Sequence, residues 1–243
     1  MSGYVEEALN ILWEDGPLVL AHRMLAITYR KSLRRLMPEV GPPELNGVIV
    51  PGLGGGAPGK KLFDDLTPTR WYNDPRTYNP VYEGPEVDGV KKFVGGHDDV
   101  VVIGGGYGVT AVHAANNTSG TVTVVEADQE RYQNLSKTFD ANGVSNKVQS
   151  LFGYLGNLHI DLDDSNIPLI AYQDIPEADV WDMDCEGAEV EILQNLPYKP
   201  KVILVETHDN HGEVTNLLES NGYEILEIIK KSHKLTHIRA RAD

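Results

Sequence analysis

Apolar runs alternate with helically spaced apolar positions along the C-terminal part of the chain. Short runs typical of buried strands occupy residues 99–103, 121–126, 147–151, 179–184 and 201–206. Patterns with apolar residues three and four positions apart, typical of helices, occupy about residues 108–116, 129–141, 187–195 and 211–221. Alternation of this kind predicts parallel βαβ units, so we expect an α/β fold with a doubly wound, mostly parallel sheet.

The final two apolar runs, residues 223–229 and 233–239, are joined only by the tripeptide KKS. A connection this short cannot cross over the sheet, as a parallel pair would require. We therefore predict an antiparallel C-terminal hairpin at one edge of the sheet.

The first 80 residues show a different pattern. Apolar residues at helical spacing predict a first helix, and Pro17 is placed to open a second one that reaches about Leu36. Residues 38–80 are rich in proline and glycine, which is typical of a linker or lid. We therefore predict an N-terminal helical extension with a linker over residues 1–80, and a compact domain over residues 81–243.

The chain is acidic, with 36 acidic and 21 basic residues and a formal net charge of −15. Such an excess repels nucleic acid and anionic membranes, so we expect no nucleic acid partner. One basic cluster lies in the second predicted helix: Arg30, Lys31, Arg34 and Arg35. It is either a solvated helix face or a peripheral docking surface for an anionic lipid or partner. The oligomeric state stays open.

The cysteine content and the hydropathy of the chain indicate the cellular compartment in which the protein works. Cys185 is the single cysteine, which excludes an intrachain disulfide and favours a reducing, intracellular setting. The N-terminus lacks the basic and apolar regions of a secretion signal, and no apolar run approaches the roughly 18 residues that span a bilayer. We expect a cytoplasmic protein without a transmembrane segment.

A glycine cluster directly follows the first predicted strand of the compact domain, in the stretch DVVVIGGGYGVTAVHAAN. Gly104, Gly106 and Gly108 give the spacing G-x-G-x-G, whereas the dinucleotide fingerprint would need a glycine at Val109. Glycines between a strand and a helix let the backbone approach a ligand at the helix N-terminus. Glu126 ends the next strand, where its carboxylate could accept hydrogen bonds from both hydroxyls of a ribose. The alternative is a tight turn with a solvated glutamate.

A second glycine loop, Gly54 to Lys60, fits the spacing of a phosphate-binding loop. It lacks the serine or threonine that would hold Mg²⁺, because Lys61 occupies that position. Pro58 also removes one of the N–H groups that a phosphate needs. We interpret this stretch as an irregular loop.

Acidic residues gather where the fourth predicted strand meets its helix, in WDMDCEGAEVEIL. Asp184 and Glu186 should emerge at the carboxyl end of the sheet beside the glycine loop, and His208 should follow the fifth strand at the same end. These three residues are our candidates for a catalytic base or for holding a substrate. Glu189 and Glu191 are explained by the positive end of the helix dipole.

Asp209 and His211 accompany His208, and these ligand types suit a divalent metal. Their spacing, however, matches no known metal cage. We therefore predict no metal site.

The stretch DMDCEGAEVEIL resembles the K-h-D-h-E-G-A-E-h-x-h-L signature of the FkbM-type methyltransferases. Four further stretches, VYEG, VVVIGGGYG, VVEADQERYQNL and KVILVETHD, match that family in the family's order across about residues 80–239. The sequence also departs from the pattern. Val102 stands where aspartate is usual, Asp182 replaces a lysine, and Ala127 replaces a proline.

The resemblance implies a Rossmann-like methyltransferase sheet with S-adenosylmethionine as cofactor. It implies methyl transfer to a hydroxyl, or less often a carboxyl, of a sugar, glycan or secondary metabolite, with Asp184, Glu186 and His208 in catalytic roles. The cofactor contacts it implies are Glu83, Gly104, Gly105, Gly106, Tyr107, Gly108, Glu126, Ala127 and Asp184.

Two rival functions stay open. An NAD-dependent sugar oxidoreductase or epimerase is disfavoured by the glycine spacing and by the lack of a Tyr-x-x-x-Lys pair. A catalytically silent, methyltransferase-like binding module is favoured by the departures at Val102 and Asp182. Cofactor binding without turnover would distinguish this module from an enzyme.

Overall fold

A computed structural model describes residues 12, 13, 16–18, 21, 24, 42–53, 82–156, 167–231 and 235–243. The chain divides into two compact units, one of Met1–Gly47 with Leu53–Tyr82 and one of Val48–Gly52 with Glu83–Asp243. In the first unit, six described residues are helical: Leu12, Trp13, Pro17, Leu18, Ala21 and Met24. The rest of the two predicted helices, the basic cluster and the second glycine loop lie outside the described residues.

Short elements precede the main sheet. They are β1 (Glu44–Leu45), β2 (Val48–Ile49) and a 3₁₀ turn (Pro51–Leu53). Among the described residues, none of the helices combines the length and the apolar character that crossing a bilayer demands.

The second unit contains a seven-stranded sheet in the order β5-β4-β3-β6-β7-β9-β8. Its strands are β3 (Val100–Ile103), β4 (Val122–Glu126), β5 (Val148–Phe152), β6 (Val180–Met183), β7 (Val202–His208), β8 (Tyr223–Lys230) and β9 (Leu235–Ala242). The first five of these strands are parallel, and β9 pairs antiparallel with both β7 and β8. The predicted doubly wound sheet with an antiparallel C-terminal hairpin at its edge is confirmed.

Helices connect and cover these strands. They are α1 (Gly84–Phe93), α2 (Val109–Asn117), α3 (Gln129–Ala141), α4 (Glu189–Gln194) and α5 (His211–Ser220), with a 3₁₀ turn at Tyr172–Asp174 before β6. Asp128 caps α3 by accepting a hydrogen bond from the amide of Arg131 at 2.8 Å. Helix α4 begins two residues later than predicted because Glu186 and Gly187 have φ of 49° and 102°, which a right-handed helix excludes.

The two faces of the sheet differ in chemistry. Since side chains alternate along a strand, Trp181 and Met183 of β6 point to one face, where they join an apolar cluster with Ile203, Val205 and Ile238. The opposite face, which α1 covers, carries buried polar residues from three neighbouring strands: Asp182, Glu206, His237 and Arg239. This polar face leads to the carboxyl ends of β6 and β7.

Candidate functional site

The candidate site lies where the strand order reverses. β4 lies on one side of β3 and β6 lies on the other, so the chain leaves β3 in opposite directions at this point. In a doubly wound sheet, such a switch point opens a crevice at the carboxyl ends of the strands. The amide of Asp184 donates to the carbonyl of Ile103 at 2.9 Å, which joins the end of β6 to the end of β3.

The loop after β3 requires glycine at several positions. Gly104, Gly106 and Gly108 have φ of 84°, 53° and 84°, in the left-handed region that other residues rarely adopt. A Cβ atom at Gly104 would overlap the carbonyl oxygen of Asp184, and one at Gly108 would lie 3.0 Å from the ring of Phe139. The glycine motif therefore lets the backbone pack directly against the end of β6 and against α3.

Glu83 and Tyr107 flank this loop. Glu83 immediately precedes α1, and its Oε2 accepts a hydrogen bond from Oγ1 of Thr110 at 2.8 Å. A Cβ atom built at Gly106 would lie 3.3 Å from Oε1 of Glu83. Tyr107 is half-buried, with the guanidinium of Arg131 5.5 Å from its ring centre. The structure thus places both predicted cofactor residues beside the glycines.

Glu126 ends β4 with its carboxylate turned toward the glycine loop. The residue is buried, and its two oxygens accept hydrogen bonds from the amides of Gly106 and Asp128, both at 2.6 Å. Burial raises the pKa of Glu126, and these two donors oppose the rise. Each carboxylate oxygen keeps a further lone pair, so two more donors can bind here. Gly105 is buried beside the Glu126 side chain. Ala127, the next residue in the chain after Glu126, is half-buried.

Asp184, Glu186 and His208 come together at the carboxyl ends of β6 and β7. The Nε2 atom of His208 lies 3.7 Å from Oδ1 of Asp184 and 3.5 Å from Oε2 of Glu186. Asp184 is half-buried, whereas the Glu186 side chain is 58% exposed. Glu186 also has a left-handed backbone, which is costly for a residue with a long side chain and is common at functional sites.

Glu189 belongs to the same cluster, which corrects its interpretation as a simple helix-terminus acid. Its side chain is fully buried, and it turns toward β7 rather than toward solvent. Its Oε1 accepts a hydrogen bond from Nδ1 of His208 at 2.6 Å, and its Oε2 accepts one from Nδ2 of Asn210 at 2.7 Å. Glu189 therefore fixes the orientation of the His208 ring and leaves Nε2 facing the other two carboxylates.

The crowding of charge sets the protonation of this cluster. Burial alone would lower the pKa of His208, but the hydrogen bond to Glu189 and the neighbouring carboxylates raise it to about 9. Burial raises the pKa of Asp184 to about 6, although the charge of His208 opposes that shift. The histidine is therefore cationic near neutral pH, and it offsets part of the negative charge around it.

A second group of charges lies beneath α1 and adjoins the first. Nζ of Lys231 is 2.6 Å from Oε1 of Glu86 and also forms an ion pair with Glu206. Burial raises the pKa of Glu206 to about 8. Burial also acts to raise the pKa of Glu86, but the charge of Lys231 and hydrogen bonds with Glu206 and Lys231 together lower it. Oε1 of Glu206 lies 3.8 Å from Nε2 of His208, so the two charged groups are contiguous.

Sequence reasoning assigned Glu189 to the helix terminus and did not consider Glu206, Lys231 or Glu86. The sequence could have indicated Glu206, because this residue lies two positions before His208 in the same strand. Residues two positions apart in a strand lie on the same face of the sheet. Asp209 and His211 follow the same strand but are exposed, and the cluster of close ligand-type atoms consists of Asp184, Glu186 and His208.

Comparison with models of protein families finds no match for this sequence, and comparison with curated proteins finds none either. Solved structures do match. A ribosomal protein L11 methylase from Lactobacillus delbrueckii subsp. bulgaricus is 12% identical over 71% of this chain and 88% of its own, with a TM-score of 0.50. The tRNA m1G37 methyltransferase of M. jannaschii is 13% identical over 68% of this chain and 51% of its own, also with a TM-score of 0.50.

These similar structures correct one prediction. The net charge of −15 predicts no nucleic acid partner, yet the structures that share this fold include a tRNA methyltransferase and a ribosomal protein methylase. The exclusion of nucleic acid is therefore wrong. Net charge averages over the whole surface, whereas a partner contacts one local patch. At these low identities, what the likeness shows is that this chain has the Rossmann-like fold of S-adenosylmethionine-dependent methyltransferases.

Proposed function

We propose that this protein is an S-adenosylmethionine-dependent O-methyltransferase of the FkbM type. Its acceptor would be a hydroxyl, or less often a carboxyl, of a sugar, glycan or secondary metabolite. The observation that carries the proposal is the packing of Gly104 on the carbonyl of Asp184. Through that contact, a glycine loop of the cofactor type and a cluster of carboxylates with a histidine share one crevice.

The residues around the glycine loop suit this cofactor. Gly104 is exposed at the end of β3, so a ligand can approach its backbone, and the remaining lone pair on each oxygen of Glu126 matches one of two ribose hydroxyl donors. Held by the glycine loop and Glu126, S-adenosylmethionine would supply an electrophilic methyl group for an acceptor oxygen. Val102, which is buried and apolar, removes one polar anchor that the family usually has.

The protein must then align the acceptor and take up its proton. Alignment of two reactants supplies roughly 7 to 11 kcal/mol, and a positioned base adds about 10² to 10⁴-fold in rate. The Asp184 side chain is 35% exposed, and burial raises the pKa of its carboxyl group to about 6, so this carboxylate is the candidate to take up the proton of an acceptor hydroxyl. Glu186 and His208 face the same space and would position the acceptor.

Binding of the cofactor product tests the first half of the proposal. Titration calorimetry with S-adenosylhomocysteine should show binding, titration with NAD should not, and Glu126→Ala and Gly106→Val should each abolish the signal. Gly106→Val forces a branched side chain onto a left-handed residue beside Glu83. Gly212→Ala is the matched control, because a Cβ atom there meets nothing within 4 Å. Binding of NAD alone, or of neither ligand in low or high salt, would refute the proposal.

Transfer of labelled methyl groups tests the second half. A panel of sugars, glycans and secondary metabolites should include a substrate, and RNA belongs in the panel because a tRNA methyltransferase shares the fold. A methyl ether survives mild base whereas a methyl ester is hydrolysed, so product stability separates a hydroxyl from a carboxyl acceptor. Methylation confined to nitrogen atoms of RNA or protein would overturn the O-methyltransferase assignment. Binding of S-adenosylhomocysteine without any transfer would identify a silent binding module instead.

A further inference from the structure

The cluster of Asp184, Glu186 and His208 combines two carboxylates with an imidazole. One ligand-type atom from each residue lies within 4.8 Å of the other two. Carboxylate oxygen and imidazole nitrogen together are the donor set that first-row divalent metals such as Mn²⁺ and Zn²⁺ accept. The three residues come from the carboxyl ends of β6 and β7, which the parallel pairing of these two strands holds side by side.

The spacing of these atoms is that of ligands around an ion. Nε2 of His208 lies 3.7 Å from Oδ1 of Asp184 and 3.5 Å from Oε2 of Glu186, longer than the common length of a charged hydrogen bond. Metal bonds of about 2.0 to 2.2 Å separate neighbouring ligand atoms by about 3 to 4 Å. Two of the three separations therefore match those of neighbouring ligands around one ion, and the third is no more than 4.8 Å.

Oδ1 of Asp184 supplies an independent indication. This oxygen is inaccessible to solvent and has no hydrogen-bond partner, although it points toward Nε2 of His208. A buried carboxylate oxygen without a partner is costly, by about 1 to 3 kcal/mol or more for a charged group. A cation bound between these side chains would remove that cost.

The histidine is also held in the manner of a metal ligand. Its Nδ1 donates to the fully buried Glu189, which accepts two more hydrogen bonds from Asn210 and from the amide of Gly187. Metal-binding histidines almost always donate their second ring nitrogen to such a carboxylate or carbonyl, which fixes the tautomer. The result is an Nε2 atom presented to the two carboxylates, and a bound metal ion would replace the proton that this nitrogen otherwise carries.

We propose that Asp184, Glu186 and His208 bind one divalent transition metal ion at the carboxyl ends of β6 and β7. This proposal departs from the expectation of no metal site, which rested on the spacing of His208, Asp209 and His211 along the chain. Three protein ligands leave coordination positions open. If the proposed methyl transfer is correct, an acceptor oxygen would occupy one of them, and this role alone rests on the proposed function.

The test is metal binding by the full chain after treatment with a chelator. Calorimetric titration with Mn²⁺ and with Zn²⁺ should show one ion per chain for at least one of them. Glu186→Gln and His208→Gln should each weaken that binding at least tenfold. The Glu186 side chain is 58% exposed, so its replacement leaves folding intact. Glu213→Gln, at an exposed acid in the first turn of α5, is the control and should bind as the wild type does.

Binding of S-adenosylhomocysteine to the same metal-free samples keeps the two proposals apart. If neither metal binds, or if both variants bind it as the wild type does, the metal site is refuted whatever happens with the cofactor product. Metal binding lost in both variants, together with no binding of S-adenosylhomocysteine, would support the site and refute the proposed function.

Discussion

Glu126 and Glu206 are both buried near the carboxyl edge of the sheet, but their charges are satisfied in different ways. Glu126 receives two backbone amides from Gly106 and Asp128, which are close to it in the loops after β3 and β4. Glu206 instead forms an ion pair with Lys231, a residue that also pairs with Glu86 beneath α1. Glu126 is held by the dipoles of backbone amides, whereas Glu206 is held by the charge of a lysine side chain.

This difference in partners indicates that Glu126 and Glu206 have different roles, one in binding a ligand and the other in holding the structure. Backbone amides stabilise a carboxylate but leave half of its lone pairs free, so Glu126 can still bind a ligand. A lysine shared by two buried carboxylates fixes their positions and joins α1 to the strands below. Glu206 and Glu86 therefore contribute mainly to the framework that holds the histidine cluster in place.

Removal of the shared lysine should have the largest effect. Lys231→Met leaves Glu86 and Glu206 buried without a cation, and breaking a buried ion pair in this way costs about 3 to 5 kcal/mol. Urea unfolding of the wild type and the variant at neutral pH measures this loss. Lys201→Met is the matched control. Lys201 forms an ion pair with Asp179 at 2.7 Å, but its side chain is 70% exposed, and such surface pairs contribute about 0 to 1 kcal/mol. Equal losses in the two variants would contradict the framework role.

His237 should make the polar face under α1 sensitive to acid. Burial lowers its pKa to about 4, and the charges of Arg239 and Lys231 act in the same direction, while Glu86 opposes them. The folded state therefore binds fewer protons than the unfolded state between about pH 6.5 and pH 4. Stability should fall as the pH decreases through this window, by about 3 kcal/mol in all.

The variant His237→Leu isolates this contribution. Neither ring nitrogen of His237 has a hydrogen-bond partner, so leucine removes the titrating group without leaving a donor or acceptor unpaired. Urea unfolding at several pH values should show a flatter profile for His237→Leu than for the wild type. His211→Leu, at an exposed position, should keep the wild-type profile. An unchanged slope in His237→Leu would show that other groups cause the acid sensitivity.

Glu126→Gln should have the smallest effect of the three changes. Hydrogen bonds to a charged group contribute about 1.5 to 3 kcal/mol, so loss of the charge should weaken binding of S-adenosylhomocysteine by about 10- to 100-fold. The raised pKa of Glu126 adds a pH dependence, since protonation of the carboxylate removes an acceptor. Wild-type affinity should therefore fall with decreasing pH as Glu126 is protonated, whereas Glu126→Gln should show no such fall. Calorimetry between pH 4 and pH 8 makes the comparison, and parallel slopes would exclude Glu126 as the ligand's acceptor.

Local patterns predict most of the sheet and the part of the site formed by the glycine loop and Glu126. We call this part the glycine half, and we call the cluster around His208 the histidine half. Strand and helix periods place β3 to β9 to within a few residues, and the glycine spacing with Glu126 lies within one βαβ unit. The partners of the histidine half come from farther away. Lys231 and Glu86 are separated by 145 positions, and no pattern in a single sequence joins them. Glu189 lies only 19 positions from His208, but helix α4 starts late, and this shift decides which way its side chain turns.

The two departures from the FkbM pattern are neighbours in the structure. Val102 of β3 and Asp182 of β6 are register partners, a relation that the sequence alone does not reveal. Both are buried, so this part of the sheet pairs one apolar residue with one acidic residue. Burial raises the pKa of Asp182 well above its ordinary value, and Glu86 adds to the shift. The pair of changes therefore avoids placing an additional charge beneath α1.

The contact between Gly104 and the carbonyl of Asp184 has a consequence for how strongly two ligands bind together. Because no side chain separates the two loops, a shift of the glycine loop displaces the backbone that carries Asp184. Occupancy of one half of the crevice is then coupled to the other half, and such coupling is reciprocal. If one ligand raises the affinity of the protein for the other by some factor, the second ligand raises the affinity for the first by the same factor.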